Sequence, residues 1–72
     1  MKQIYGDFND VDAEGALPLT CRGSVASIAE LQQHLQDGEE VLLSDGELRV
    51  IARVFRRGDG SWEARSDWKF VR

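Results

Sequence analysis

The stretch EEVLLSDGELRVIARVFRRGDGSWEARSDW, residues 39–68, decides the fold. Its apolar residues recur at every second position, the period of a strand with two unlike faces. Glu39–Ser44 reads as one strand, and Asp45-Gly46 is a strong hairpin-turn signal. Leu48, Val50, Ala52 and Val54 then alternate with Arg49, Ile51, Arg53 and Phe55. This predicts a long strand with one aliphatic face and one mixed face. Arg57-Gly58-Asp59-Gly60 marks a second turn. Trp62, Ala64, Ser66 and Trp68 alternate with Glu63, Arg65 and Asp67 in a third strand, which puts both tryptophans on one side. Residues 39–68 therefore predict a three-stranded meander.

Upstream, Gln3-Ile4-Tyr5 is a short strand. Gly6 to Gly15 is an acidic loop rich in Asp and Asn, whose side chains bond their own backbone in turns. Ala16 to Cys21 reads as another short strand with Leu17 and Leu19 on one face. Pro18 has no N–H to donate, which places that strand at a sheet edge or a bulge. Ser24 to Gln36 is the one helix. Ser27 and Glu30 fit a capping box, with Ser24 a rival cap one turn earlier. Val25, Ile28, Leu31 and Leu35 form its apolar stripe, while Gln32, Gln33 and Gln36 lie off it. Gly38 is the stop signal. The fold class is α+β, mainly β: five strands and one helix, about residues 24–36, in a single domain over residues 1–72. Three bare strands leave an open face and exposed edges. Curling the sheet into an antiparallel barrel plugged by the helix removes both problems.

The stretch Asp59-Gly60-Ser61-Trp62-Glu63-Ala64-Arg65 resembles the Asp-Gly-Trp-Trp-x-Ala-Arg strand of SH3 domains. Tyr5-Gly6-Asp7-Phe8 and Leu17-Pro18-Leu19 resemble the opening of the same fold. The likeness implies a small SH3-like barrel. It does not imply polyproline binding, because Asp67-Trp68-Lys69-Phe70 stands where SH3 domains carry the Pro and Tyr of their ligand groove. The chain also resembles short bacterial open reading frames, a likeness that implies no activity.

The chain has 72 residues and 42% apolar residues, enough for one small core near the lower size limit for stability without staples. Cys21 is the one cysteine. It forms no intramolecular disulfide or cysteine-based zinc site, and fits a reducing compartment. No apolar run follows Met1-Lys2-Gln3, and no stretch approaches the ~20 apolar residues of a membrane span. A soluble cytoplasmic protein that does not engage membranes is the expectation.

The formal net charge of −4 hides a split. Residues 1–47 carry a net −8, and residues 48–72 a net +4. An acidic pI near 4.8 argues against a generic nucleic-acid binder, yet leaves room for a local basic face. Arg49, Ile51, Arg53, Phe55 and Arg57 share one strand face. Three guanidinium groups interleaved with apolar groups suit an acidic protein partner, or phosphates with Phe55 stacked on a base. The plainer reading pairs these arginines across strands with Glu40, Glu63 or Asp67.

The acidic loop, with Asp7, Asp10, Asp12 and Glu14, is a second candidate surface. Asp10-x-Asp12-x-Glu14-Gly15 matches the first half of a calcium loop. Its twelfth position, where a bidentate Glu belongs, is Cys21, and its flanks read as strands. A solvated turn or an acidic recognition loop is therefore expected, and no metal or other cofactor. Trp68 is the candidate exposed anchor, since Trp and Arg dominate binding hot spots. His34 reads as a helix-end residue suited to the dipole, and Cys21 as a small buried hydrophobe. Neither has a visible catalytic partner, so an enzyme is not expected. The leading expectation is a small protein-interaction module or regulatory accessory protein, monomeric or weakly dimeric. The alternatives are a nucleic-acid-associated barrel using the Arg/Phe55 face, or an inhibitor whose acidic surface mimics nucleic acid.

Overall fold

A computed structural model of the chain describes residues 1–31 and 34–70. Gln32 and Gln33, placed off the apolar stripe above, lie outside the described residues, as do Val71 and Arg72. The strands are β1 (Gln3–Tyr5), β2 (Ala16–Pro18), β3 (Glu40–Ser44), β4 (Arg49–Arg56) and β5 (Trp62–Arg65). One helix, α1 (Arg22–Leu31), and a 3-10 turn at Phe8–Asp10 complete the elements.

The five strands form one sheet in the order β1-β3-β4-β5-β2. The meander β3-β4-β5 is antiparallel, as the alternation predicts, with Leu43 opposite Val50 and Val54 opposite Ala64. β2 runs antiparallel to β5 at one edge. β1 runs parallel to β3 at the other, with Ile4 opposite Leu43. The sheet is thus mixed, where an all-antiparallel arrangement was expected. The reason is topological: the chain crosses from β1 through β2 and α1 before it returns as β3, and a return of that length permits a parallel neighbour. Among the described residues no ladder joins β1 to β2, so the sheet is open at both edges.

One face of this sheet makes the core. Ile4, Leu17, Val41, Leu43, Val50, Val54 and Ala64 are essentially inaccessible to water, and Ile28 and Leu35 pack over them. Trp62 joins this layer at 7% exposure, while the Arg56 guanidinium lies 5.6 Å from its ring centroid.

The helix differs from expectation at both ends. It begins at Arg22, so Ser24 and Ser27 are helical residues and not caps. His34–Gln36 are non-helical, and the His34 N–H closes a turn onto the Leu31 carbonyl. The stripe shifts too: Val25 is 53% exposed, and Ser24 is buried at 1%. The cause is the neighbour. The Ser24 hydroxyl donates to the Tyr5 carbonyl at 2.5 Å, and the Ser27 hydroxyl accepts from the Tyr5 N–H at 3.2 Å. In a parallel ladder alternate residues turn both backbone groups away from the partner strand. Tyr5 is such a residue on β1. The helix serines therefore satisfy a strand edge that would otherwise face water.

The other edge is closed by different chemistry. The outward N–H of Ala16 donates to Asp12 Oδ1 at 3.0 Å, and the Ala16 carbonyl accepts from the Asp12 N–H at 2.9 Å. Pro18, the next outward residue, has no N–H, which matches its predicted edge position.

Candidate interaction surfaces

The face of β3-β4-β5 opposite the core is open. Strand alternation puts Val50, Ala52 and Val54 inward and Arg49, Ile51, Arg53 and Phe55 outward. Ile51 is 45% exposed, and Phe55 is half-buried, its ring lying beside Gly38. Cross-strand register then builds rows. Glu40, Arg53 and Arg65 form one row across three strands, and Phe55 with Glu63 forms the next. A shallow groove of about 460 Å³ runs here, lined by Ile51, Phe55 and Ser66 together with Arg53, Arg65, Glu40 and Asp67.

The cross-strand pairing anticipated for the arginines is present in part. Arg53 Nη2 lies 3.8 Å from Glu40, and Arg53 Nη1 donates to the Gly38 carbonyl at 3.0 Å. Glu63 serves two arginines, Arg65 at 2.8 Å and Arg57 at 3.7 Å. Arg57 sits just beyond β4, where its N–H donates to Ser61 at the turn. Arg49 lies opposite Ser44 and, among the described residues, has no ion pair. The Arg53–Glu40 pair joins two exposed side chains and is worth roughly 0.2–1 kcal/mol, whereas the Glu63 carboxylate that Arg57 and Arg65 share is mostly buried. Arg65 did not stand out in the sequence. Its place opposite Arg53 follows from the β4–β5 register, which alternation alone does not give.

The acidic loop and Trp68 come together on a separate patch. Trp68 Nε1 donates to the Gly15 carbonyl at 3.0 Å. Its ring meets Phe8 at 6.2 Å and Phe70 at 6.3 Å. β5 ends at Arg65, so Trp62 and Trp68 do not share a strand face as alternation suggested. After Ser66 bonds the Ile51 carbonyl, the chain turns away, and Trp68 takes a left-handed backbone with φ of 57°. That conformation is uncommon for a bulky residue. It is held by the indole bond, by Trp68 N–H to Ser66 Oγ, and by the aromatic contacts.

Within the loop, the carboxylates divide. Asp7 accepts from the Asn9 N–H and caps the 3-10 turn. Asp12 accepts from the N–H groups of Ala16 and Glu14. The Ala16 N–H foremost, then the Glu14 N–H and the more distant Arg65 and Arg57, hold the Asp12 carboxyl below its ordinary pKa against a smaller opposing effect of desolvation. Asp10 and Glu14 are exposed at the surface. Asp12, the middle ligand of the calcium-like pattern, is thus engaged by backbone. Among the described residues no three acidic, histidine or cysteine side chains converge on a common point.

Cys21 is half-buried, with Sγ 3.2 Å from Ser24 Oγ. His34 is exposed, and its carbonyl accepts from the Lys2 ammonium, which also pairs with Glu39 at 2.8 Å. Among the described residues no helix is long and apolar enough to cross a membrane.

Comparison of the chain with protein-family models, with curated proteins and with solved structures finds no match.

Proposed function

We propose that this protein is a small protein-interaction module that recognises an acidic partner through the open face of β3-β4-β5. The observation that carries the reading is the uncovered face itself. It displays Arg49, Arg53, Arg57 and Arg65 around exposed Ile51, against Glu40 and Glu63 on the same face and Asp67 in the groove. A basic, partly apolar face on a chain of net charge −4 is the polarity that an acidic partner complements. The module acts in the cytoplasm as a monomer or weak dimer, and binds without catalysis. The sheet is read as a variant of the SH3-like barrel on the likeness of Asp59–Arg65, without that family's polyproline groove. Trp68 with Asp10 and Glu14 forms a second surface of the same module.

The test is capture of partners from cell lysate by the wild-type protein and by the double variant R49E/R53E, with and without nuclease. A protein partner that survives nuclease and is lost from the variant supports the reading. Partners lost on nuclease treatment would transfer the face to nucleic acid, and binding would then weaken steeply with salt. Equal capture by both proteins would remove the Arg face from the function.

A further inference from the structure

β4 has a strand on both sides along only half its length. Its ladder with β3 reaches back to Arg49, whereas its ladder with β5 joins Arg53–Arg56 to Trp62–Arg65 and stops. Both backbone groups of Val54 bond toward β3, to Glu39 and Gly38. Alternate residues of an antiparallel strand point opposite ways, so Arg49, Ile51 and Arg53 turn their backbone groups to the β5 side. Among the described residues no strand pairs with Arg49 or Ile51 there. The Ile51 carbonyl takes the Ser66 hydroxyl at 2.8 Å, where a continued ladder offers it a backbone N–H. The outer edges of the sheet are met by side chains, Ser24 and Ser27 at β1 and Asp12 at β2. The bare stretch of β4 is an inner notch.

The segment that leaves this notch open is Ser66–Phe70. It folds back as a strap: the Trp68 N–H bonds Ser66 Oγ, the Lys69 N–H bonds Asp67 Oδ1, and the Trp68 indole bonds the Gly15 carbonyl. Trp68 holds a φ of 57°, a backbone that a bulky residue keeps only while its surroundings enforce it. Straightened in the register of Arg53 with Arg65, the same segment sets Asp67 opposite Ile51, Trp68 opposite Val50 and Lys69 opposite Arg49. The Asp67 N–H then reaches the Ile51 carbonyl. The Asp67 carboxylate stands on the outer face, diagonal to Arg49 and Arg53, within reach of long side chains. The Trp68 ring, which already packs against the core, stays on the inner face. Lys69 opposite Arg49 is a like-charge pair, and it favours the strap.

We propose that Ser66–Phe70 is an arm with two seats, the strap anchored at Gly15 and a strand that continues β5 along Arg49–Ile51. In the second seat it shields the notch of β4 from other extended chains and releases the Gly15 end of the acidic loop. One arm cannot fill both seats, so it couples the acidic loop to the sheet.

The test is NMR on the full labelled chain, reading the α-proton contact between positions 50 and 68 and the hydrogen exchange of the Ile51 amide. The variant W68T/K69E carries a β-branched residue that disfavours the strap backbone and an anion opposite Arg49. It is expected to show the 50–68 contact and to slow Ile51 exchange at least about tenfold relative to wild type. K69E alone, a surface change, keeps the fold and slows that exchange at least about threefold. R49E combined with K69E restores a like-charge pair and cancels the gain. A folded sheet with no 50–68 contact and unchanged Ile51 exchange in K69E overturns the inference, whatever W68T/K69E does. A contact seen only between labelled and unlabelled copies in a mixed sample also overturns it, because the seat then belongs to a second chain.

Discussion

Gly23 is the position where helix propensity and packing pull in opposite directions, and Gly23→Ala measures which wins. Gly23 lies in the first turn of α1, where Ala normally gains up to about 1 kcal/mol over Gly. A Cβ at this position would stand 2.5 Å from Tyr5 Cδ1, 2.8 Å from Cγ and 3.0 Å from Cε1. Contact with Cγ cannot be relieved by moving the far end of the ring; the whole side chain must swing about χ1. The Tyr5 backbone is pinned by Ser24 and Ser27, so strand and helix cannot simply part. Overpacking of this kind costs about 1–3 kcal/mol. Set against the propensity gain, a net loss of roughly 1 kcal/mol is expected. For a domain of this size that lowers Tm by about 4–8 °C. The assay is thermal and urea unfolding followed by circular dichroism, run as a cycle with Tyr5→Ala. In the Tyr5→Ala background the clash is absent, and Gly23→Ala should become neutral or stabilising, a coupling of about 1–2 kcal/mol. If Gly23→Ala stabilises both backgrounds equally, the helix does not press on β1 at this point and the account of the β1 edge fails.

Three further outcomes follow from the same contacts. Ser24→Ala leaves the outward Tyr5 carbonyl without its buried donor and should cost about 1–3 kcal/mol in urea unfolding, well above a typical surface change. Trp68→Phe keeps an aromatic ring beside Phe8 but loses the indole donation to Gly15, and should cost about 0.5–1.5 kcal/mol. In a pH series of thermal melts, stability should be flat above the ordinary carboxylate range, near pH ~4, and fall as pH drops further. Asp12, Asp45, Asp59 and Glu39 all have pKa values lowered in the folded state, so the unfolded chain takes up protons first. Their stabilisation is present above the unfolded pKa and is lost as pH falls through the lowered folded values; a Tm that rises on acidification contradicts those bonds.

The part of the fold that was legible in sequence is the part governed by period two. Leu48 to Phe55 alternates without interruption, and Asp45-Gly46 sits where a tight turn must, so the meander could be read without knowledge of its neighbours. Pro18 at the edge was legible for a similar reason, because a missing N–H is a property of the residue itself. The helix face was not. Apolar spacing favoured Val25 over Ser24, and only contact with the outer edge of β1 makes a buried serine worth more than a buried valine there. The parallel β1–β3 pairing has no local signature at all, since a three-residue strand carries too little pattern to state its direction. At the candidate site, Arg49, Arg53 and Phe55 could be assigned to one face from alternation. Arg65 could not be set opposite Arg53 without the register of β5, and Trp68 left its strand through a backbone turn that alternation does not encode.

The charge split has a second cause that composition conceals. Asp7, Asp12, Asp37, Asp45, Asp59 and Asp67 each accept a backbone N–H, five of them within a turn and Asp37 from Arg56 at the end of β4. A five-stranded sheet in so short a chain needs many tight reversals, and aspartate is a natural turn residue because its carboxylate replaces a missing backbone acceptor. Much of the acidic charge is therefore a by-product of connecting short strands. The arginines have no such origin: Arg53 pairs with Glu40 and bonds the Gly38 carbonyl, Arg57 and Arg65 share Glu63, and Arg49 has no ion pair among the described residues. An arginine such as Arg49, exposed on an uncovered face and without an ion pair among the described residues, is better evidence of a binding role than a surplus of carboxylates that the turns already employ.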